Sequence, residues 1–486
     1  MNNKGQITVF LSLIMGALVF LGLFAVKICK YYVEKSKAVQ IVSLAVSDVK
    51  SEYNSYIFEH YHILLFDKTA YGKGEAAVEE SFSENIKKNL DGEQSLVYVA
   101  ITDFDLLMDN ECEAFKSQIN DYTVYAALSY GVEEIMKKTG GKDAVIDEKV
   151  LESMDEDINE GEPDLASNLD SDQQGRSVTE SDNGNENSGR IVRKKEEDPR
   201  GLTKIIGELG VLYFVIPDDL EVNTVVVDLS DCPTKGNFAF MDFDNLNSEF
   251  DSYNRLKKDL KCNTAWNNSL IDAGCGLAYA RDVFNCAVNC DVNENTVFKF
   301  ELEYLACGKA SDYLNLKKTV NRITAVRFPV NYSYLLTDAV KMTRVKEIAL
   351  SLSFATAIPE PVLKYLIAGC WSYVEAVSDV RELLKGNRVE FEKTGSNWKT
   401  DINHLISSLK EDKEPCEKGM SYEDYLMIFI AMKMDTSYKR MLDIIQLNAR
   451  QVYPDFKMEN AAVGLTVDAS IEYGDSVFSF CVSGGY

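Results

Sequence analysis

The chain has 486 residues, 46% of them hydrophobic, and a formal net charge of −26. That length and apolar share suit roughly two or three folded regions with cores of their own. A polyanion of this kind is repelled by phosphate backbones, which excludes nucleic acid as a partner class. Read from the N-terminus, the first predicted element is an uncharged run over residues 5–26, with residues 7–28 as its contact with the lipid bilayer. As a helix, residues 5–26 measure about 33 Å, enough to cross the hydrocarbon layer. The run is too long for the apolar stretch of a cleaved signal peptide.

Beyond it, Val39, Val42, Leu44, Ala45, Val46 and Val49 recur at helical spacing, and no Pro or Gly interrupts residues 27–68. This predicts one helix that leaves the membrane and becomes amphipathic. Residues 95–109 alternate and carry β-formers, predicting a strand, and residues 112–138 read as a helix. Residues 151–200 hold fifteen Asp or Glu against six Lys or Arg and no aromatic residue. Such a segment buries too little apolar surface to offset chain entropy, so 143–200 reads as a disordered acidic linker. Residues 202–216 read as a short helix and an apolar run closed by Pro217, and residues 298–306 as a strand. Residues 311–450 form the helical region, with helices over 312–326, 338–357, 362–384, 423–434 and 437–451. The pair flanking Pro359 and Pro361 is apolar enough to raise a second membrane span. Lys364, Glu375 and Asp379 favour a buried helical hairpin instead. Residues 462–472 and 476–482, separated by a turn at 473–475, predict a C-terminal β-hairpin.

The fold class is therefore α+β. The organisation is a transmembrane anchor over 1–29, a membrane-proximal α+β region over 30–142, the acidic linker over 143–200 and an α+β domain with a helical core over 201–486.

No set of residues specifies a reaction, a cofactor or a metal. His60 and His62 point about 200° apart on a helix, which disfavours a shared ion, and His404 stands alone. Cys286 and Cys290, near Cys275, lack the fourth ligand and tighter spacing of a zinc site. Asp170-Ser-Asp172-Gln-Gln-Gly175 lacks the spacing of a calcium loop. Asp291-Val-Asn293-Glu-Asn295 begins like one, but Thr296 replaces the turn glycine and Leu302 the closing Glu. Tyr53, Tyr56, Tyr61 and Tyr71 read as packing near the membrane. No phosphate loop, dinucleotide fingerprint or nucleophile elbow is present. Besides Cys29 there are ten cysteines, an even number that suits either up to five extracellular disulfides or buried free thiols. Orientation is contested too: Lys4 precedes the span and Lys27, Lys30, Lys35 and Lys37 follow it, which by lysine count places the large region in the cytoplasm. Gly16, Ala17, Gly22 and Ala25 offer small-residue surface for helix association in lipid.

Lys4-Gly-Gln-Ile-Thr-Val-Phe-Leu-Ser-Leu-Ile14, Ser51-Glu-Tyr-Asn-Ser-Tyr-Ile-Phe-Glu59 and Leu64-Leu-Phe-Asp67 resemble a family of uncharacterised clostridial membrane proteins associated with tight-adherence (Flp-type) pilus loci. The resemblance continues through Glu301-Leu-Glu-Tyr304, Gly308-Lys-Ala-Ser-Asp312, Val320-Asn-Arg322, Tyr334-Leu-Leu-Thr-Asp338, Trp398, Tyr425 and Arg440-Met-Leu-Asp-Ile-Ile-Gln-Leu-Asn448. It implies a non-enzymatic, single-pass envelope protein, a pseudopilin-like structural or assembly component whose large region lies outside the cytoplasm. Its partners would be other membrane or envelope proteins. Prepilin-type processing would cut after Gly5 and leave Gln6 first, but the fifth position, where such substrates carry Glu, is Phe10. An uncleaved anchor follows. The alternatives are an extracytoplasmic binding or sensing module unrelated to pili and an envelope hydrolase.

Overall fold

The structure, a computed structural model, describes residues 4–139, 210–235 and 266–486, apart from 91, 93, 218–219, 409–415, 417 and 475. The expected acidic linker over 143–200, with its calcium-loop candidate, lies outside the described residues, as do residues 202–209 and Cys262. The chain divides into two compact units, one of Met1–Thr123 with Glu197–Tyr486 and one of Val124–Glu196.

Helix α1 (Lys4–Ser51) opens the first unit as one continuous helix of 48 residues. Its N-terminal half is long and apolar enough to cross a bilayer, and every residue from Val9 to Val33 is exposed. Its C-terminal half buries Ala38, Val42, Ala45, Val46 and Val49 on one face. The helix ends short of the expected Lys68, although no Pro or Gly stops it. Asn54 does so locally: its Oδ1 accepts from Ile57 N at 3.0 Å and caps α2 (Ser55–Tyr61). A short polar side chain that satisfies backbone donors competes with helix continuation. His62 then takes a left-handed φ of 57°, ending α2 ahead of β1 (Phe66–Asp67).

Helix α3 (Glu75–Asn89), strand β2 (Gln94–Leu106) and helix α4 (Asp109–Thr139) follow, with α4 passing from the first unit into the second at Thr123. At the C-terminus come β3 (Ala461–Tyr473) and β4 (Ser476–Gly485). All four strands make one antiparallel sheet with β3 at its centre. Strand β2 pairs along one side, from Gln94↔Tyr473 to Leu106↔Ala462, while β4 and β1 share the other. The buried face of α1 lies on this sheet, packed with Leu465, Val467, Ala469, Ile471 and Phe478 and with Phe82 and Ile86 of α3. A Cβ at Gly484 would stand 2.7 Å from Val46 Cγ1, so that glycine lets the helix approach the strand.

The remaining helices form a larger core. They are α5 (Leu212–Val215), α6 (Trp266–Val283), α7 (Glu301–Cys307), α8 (Asp312–Thr337), α9 (Ala339–Thr356), α10 (Glu360–Leu384), α11 (Leu405–Ser408), α12 (Tyr422–Ala431) and α13 (Met434–Ala449). Helix α10 packs between α8 and α9, and α7 against α8, α12 and α13. Helix α8 continues eleven residues past its expected end at 326, carrying Pro329 inside it. The expected hairpin around Pro359 is formed by α9 and α10, and α10 buries Leu363, Ile367, Trp371 and Val374.

Two expectations are corrected. Residues 298–306 are not a strand, because residues 301–307 form α7, whose side chains are all buried. Within the region expected over 30–142, residues 30–123 share one compact unit with the described residues of 201–486. The sheet joins β1 and β2 to strands more than 350 residues later, and Ile57, Tyr61, Phe115 and Ile119 belong to the same core as Leu212, Tyr304 and Ile445.

Candidate functional site

Two arrangements concentrate the chemistry of the described residues: the exposed face of α1 and a set of fully buried charges beneath the helical core.

Past the apolar half of α1 come Lys27, Lys30, Tyr31 and Tyr32, all exposed. The order of apolar, cationic and aromatic side chains is that of a helix leaving a bilayer through its headgroup layer. The folded unit begins at once. The Tyr31 ring lies 5.1 Å from that of Phe478, and Glu34, paired to Lys30 at 3.5 Å, is already buried.

The buried charges fall into two groups. In the first, Glu301 and Glu303 stand on α7 and Asp443 on α13. A helix turns successive residues by about 100°, so Glu301 and Glu303 enter different donor sets. Glu301 accepts from Asn285 N at 2.9 Å and from Asn448 Nδ2 at 2.9 Å. Glu303 accepts from Ala287 N at 2.9 Å and the Tyr422 hydroxyl at 2.9 Å. Asp443 accepts from Thr234 N and Oγ1 and from the Tyr304 hydroxyl at 2.7 Å. Burial outweighs these donors and raises all three carboxyls, Glu301 to about 8, Glu303 to about 7 and Asp443 to about 6. Gly308 ends α7 in a left-handed turn with φ of 63°. A Cβ there would stand 2.6 Å from Arg440 Nη2, so the position takes glycine alone.

In the second group, Asp379 of α10 accepts from Arg327 Nη2 at 2.8 Å and Lys393 Nζ at 2.7 Å, while Glu375 accepts from the same Lys393 Nζ at 2.6 Å. Glu375 also takes Thr400 N and Oγ1, and Asn331 donates to Asp379. Burial alone would raise Asp379, but Lys393 and Arg327 overcome it and hold the carboxyl below its ordinary range. This network fastens α8 and α10 to residues 391–400. Both groups hold elements together, since every carboxylate oxygen named except the buried Glu303 Oε2 meets a protein donor and none of the side chains is exposed.

Residues singled out by the sequence are dispersed. His60 stacks on Tyr56 and His62 on Tyr122, at ring distances of 4.3 and 4.7 Å, and burial lowers the His62 pKa. Cys290 Sγ donates to the Cys286 carbonyl at 3.1 Å. The ten described cysteines are all free thiols, with Cys112, Cys232, Cys286 and Cys307 buried. Burial pushes the Cys232 thiol up to about 12. Among the described residues, no group of three or more His, Cys, Asp or Glu is placed to hold a metal ion. Asn293 and Asn295 line a groove of about 690 Å³ with Glu221, Asn285, Thr296 and Lys299. Tyr61 is buried and its hydroxyl accepts from Asn448 Nδ2 at 2.7 Å, while Tyr71 stacks on Tyr453. The buried carboxylates of α7 and the Arg327–Lys393 network were not recognised from sequence. Their signal was charge inside apolar runs, as in Glu301-Leu-Glu303-Tyr304-Leu305.

The sequence profile of a family of unknown function (DUF5702) matches residues 190–473, more than half of the chain. The chain belongs to this family. The DUF5702 match takes in the helical core, both buried charge groups and β3. Helix α1, the strands β1 and β2 that pair with β3, and β4 lie outside it. No curated protein and no solved structure matches the chain.

Proposed function

We propose that this protein is a membrane-anchored, non-enzymatic structural or assembly component of the cell envelope, built on the plan of a pseudopilin and serving a tight-adherence-type pilus or secretion system. The folded region lies outside the cytoplasm and meets other membrane or envelope proteins. The observation that carries this reading is α1: one unbroken helix, exposed and apolar in its first half and docked across an antiparallel sheet in its second. A further support is the surface at the α9–α10 turn, where Phe354, Ile358, Val362, Tyr365 and Leu366 stay exposed and Phe354 is 85% accessible. Clustered apolar side chains on a folded surface mark contact sites. The test is purification of the tagged full chain from mild-detergent membranes. Recovery of pilus-assembly components supports the reading, and recovery of the chain alone overturns it.

A binding module is the second reading, favoured by the amide-rich groove of Asn285, Asn293 and Asn295. It requires a small polar ligand to protect this loop from amide exchange.

A further inference from the structure

We propose that the membrane-proximal end of the folded unit, comprising the lysines and tyrosines of α1 and the adjoining ends of β3 and β4, is a docking surface for anionic phospholipid headgroups. The proposal rests on the reading that α1 crosses the bilayer, and adds that the acidic unit lies directly on the lipid.

The heights along α1 set the geometry. Val26 ends the uncharged run, and Tyr31 follows five residues later, about 7.5 Å further at 1.5 Å per residue. The headgroup layer on each side of a bilayer is about 5–8 Å thick. Tyr31 already touches Phe478 of β4, so the sheet starts at the outer boundary of that layer. Strand and helix run in the same direction, because Val46, further along α1, meets Gly484, and Lys50 Nζ donates to the Gly485 carbonyl at 2.7 Å. The beginning of β4 and the end of β3 therefore point back toward the lipid. From Phe478 to Ser476 the strand descends by about 3.4 Å per residue, and Ser476 lies opposite Tyr473. That distance brings Tyr473 and the exposed Val477 into the headgroup layer.

The side chains facing this layer are ordered as a phospholipid is. On the sheet-facing side of α1, Phe20 and Phe24 give way to Lys27 and then to Tyr31 and Tyr32, lining an open groove of about 650 Å³. Stepping by about 100° per residue from the buried line of Glu34, Ala38 and Ala45, Lys30 and Lys37 fall on one flank of the helix and Lys35 on the other. All four lysines are exposed, although Lys30 shares its charge with Glu34. Lys27 and Lys30 stand within about 6 Å of the end of the uncharged run and Lys35 and Lys37 about 13.5 and 16.5 Å from it, and these four cations face Glu34 and Glu472 on a chain of charge −26. An acidic body held against anionic lipid is repelled unless cations intervene at the contact. This function also accounts for lysines that follow the span on a region placed outside the cytoplasm.

The test uses the full chain in nanodiscs of phosphatidylcholine alone or mixed with phosphatidylglycerol, with amide exchange followed over residues 473–478. Exchange is expected to be several-fold slower in the phosphatidylglycerol discs. High salt should reduce this protection, and the combined Lys27→Gln, Lys30→Gln, Lys35→Gln and Lys37→Gln variant should lose it. Unchanged exchange over residues 312–337 shows that the variant folds. Equal exchange in the two lipids, or full protection in the variant, overturns the proposal. Protection by inorganic phosphate in phosphatidylcholine discs overturns the lipid as the occupant. Entry of the chain into discs reports the anchor separately; failure to enter removes the anchor and the docking surface with it.

Discussion

Glu301, Glu303 and Asp443 differ from Asp379 in the sign of their dependence on pH. The first three have folded pKa values of about 8, 7 and 6 against ordinary values of 4.5, 4.5 and 3.8. Across those intervals the folded chain holds protons that the unfolded chain releases. Stability is therefore full below the ordinary carboxylate range and falls as pH rises through 6, 7 and 8. The melting temperature should decline from pH 5 to pH 8. The three carboxyls act in the same direction, each tenfold difference in proton affinity between folded and unfolded chain being worth about 1.4 kcal/mol. Glu301→Gln should flatten the upper part of that decline, as differential scanning calorimetry would report. Asp379 works in reverse: its contribution is present above its ordinary value of 3.8 and is lost as pH falls below it. Lys393→Met leaves Glu375 and Asp379 buried with Arg327 alone, and removal of one partner from such a network costs about 3–5 kcal/mol. Urea denaturation measures that loss.

Among the elements, α1 and α7 show how context sets secondary structure. The helical spacing of Val42, Ala45, Val46 and Val49 was legible because one face meets one sheet, and the period of 3.6 follows directly. Ala45→Asp, at a position with no exposure, should therefore loosen the helix from the sheet at a cost of several kcal/mol and open residues 30–50 to limited proteolysis. Leu44→Asp, half exposed on the same helix, should leave the digestion pattern unchanged. Segment 298–306 failed the same reasoning. Glu301 and Glu303 alternate with apolar neighbours and so imitate a strand, but both acids are buried and tertiary donors fix them on a helix. Periodicity reports which side meets water, and α7 has no such side.

For the whole molecule, the decisive fact is that the sheet is assembled from both ends of the chain. Truncation before Ala461 removes β3 and leaves β1 and β2 without a partner, so the entire first unit should lose cooperative unfolding. Truncation after Gly474 removes only β4 and should retain the β2–β3 ladder. Amide exchange over residues 94–106 separates the two outcomes.

The sequence by itself determined a first helix long and apolar enough to span a membrane, the α+β class, the helical region and the C-terminal hairpin. Each is written in local length, period or turn chemistry. Only the tertiary structure decided that residues 30–123 and 201–486 share one body, where α1 stops and what its buried charges hold. Those depend on β2 meeting β3 across more than 350 residues and on donors such as Asn285, Asn448 and Lys393, brought to the carboxylates by folding.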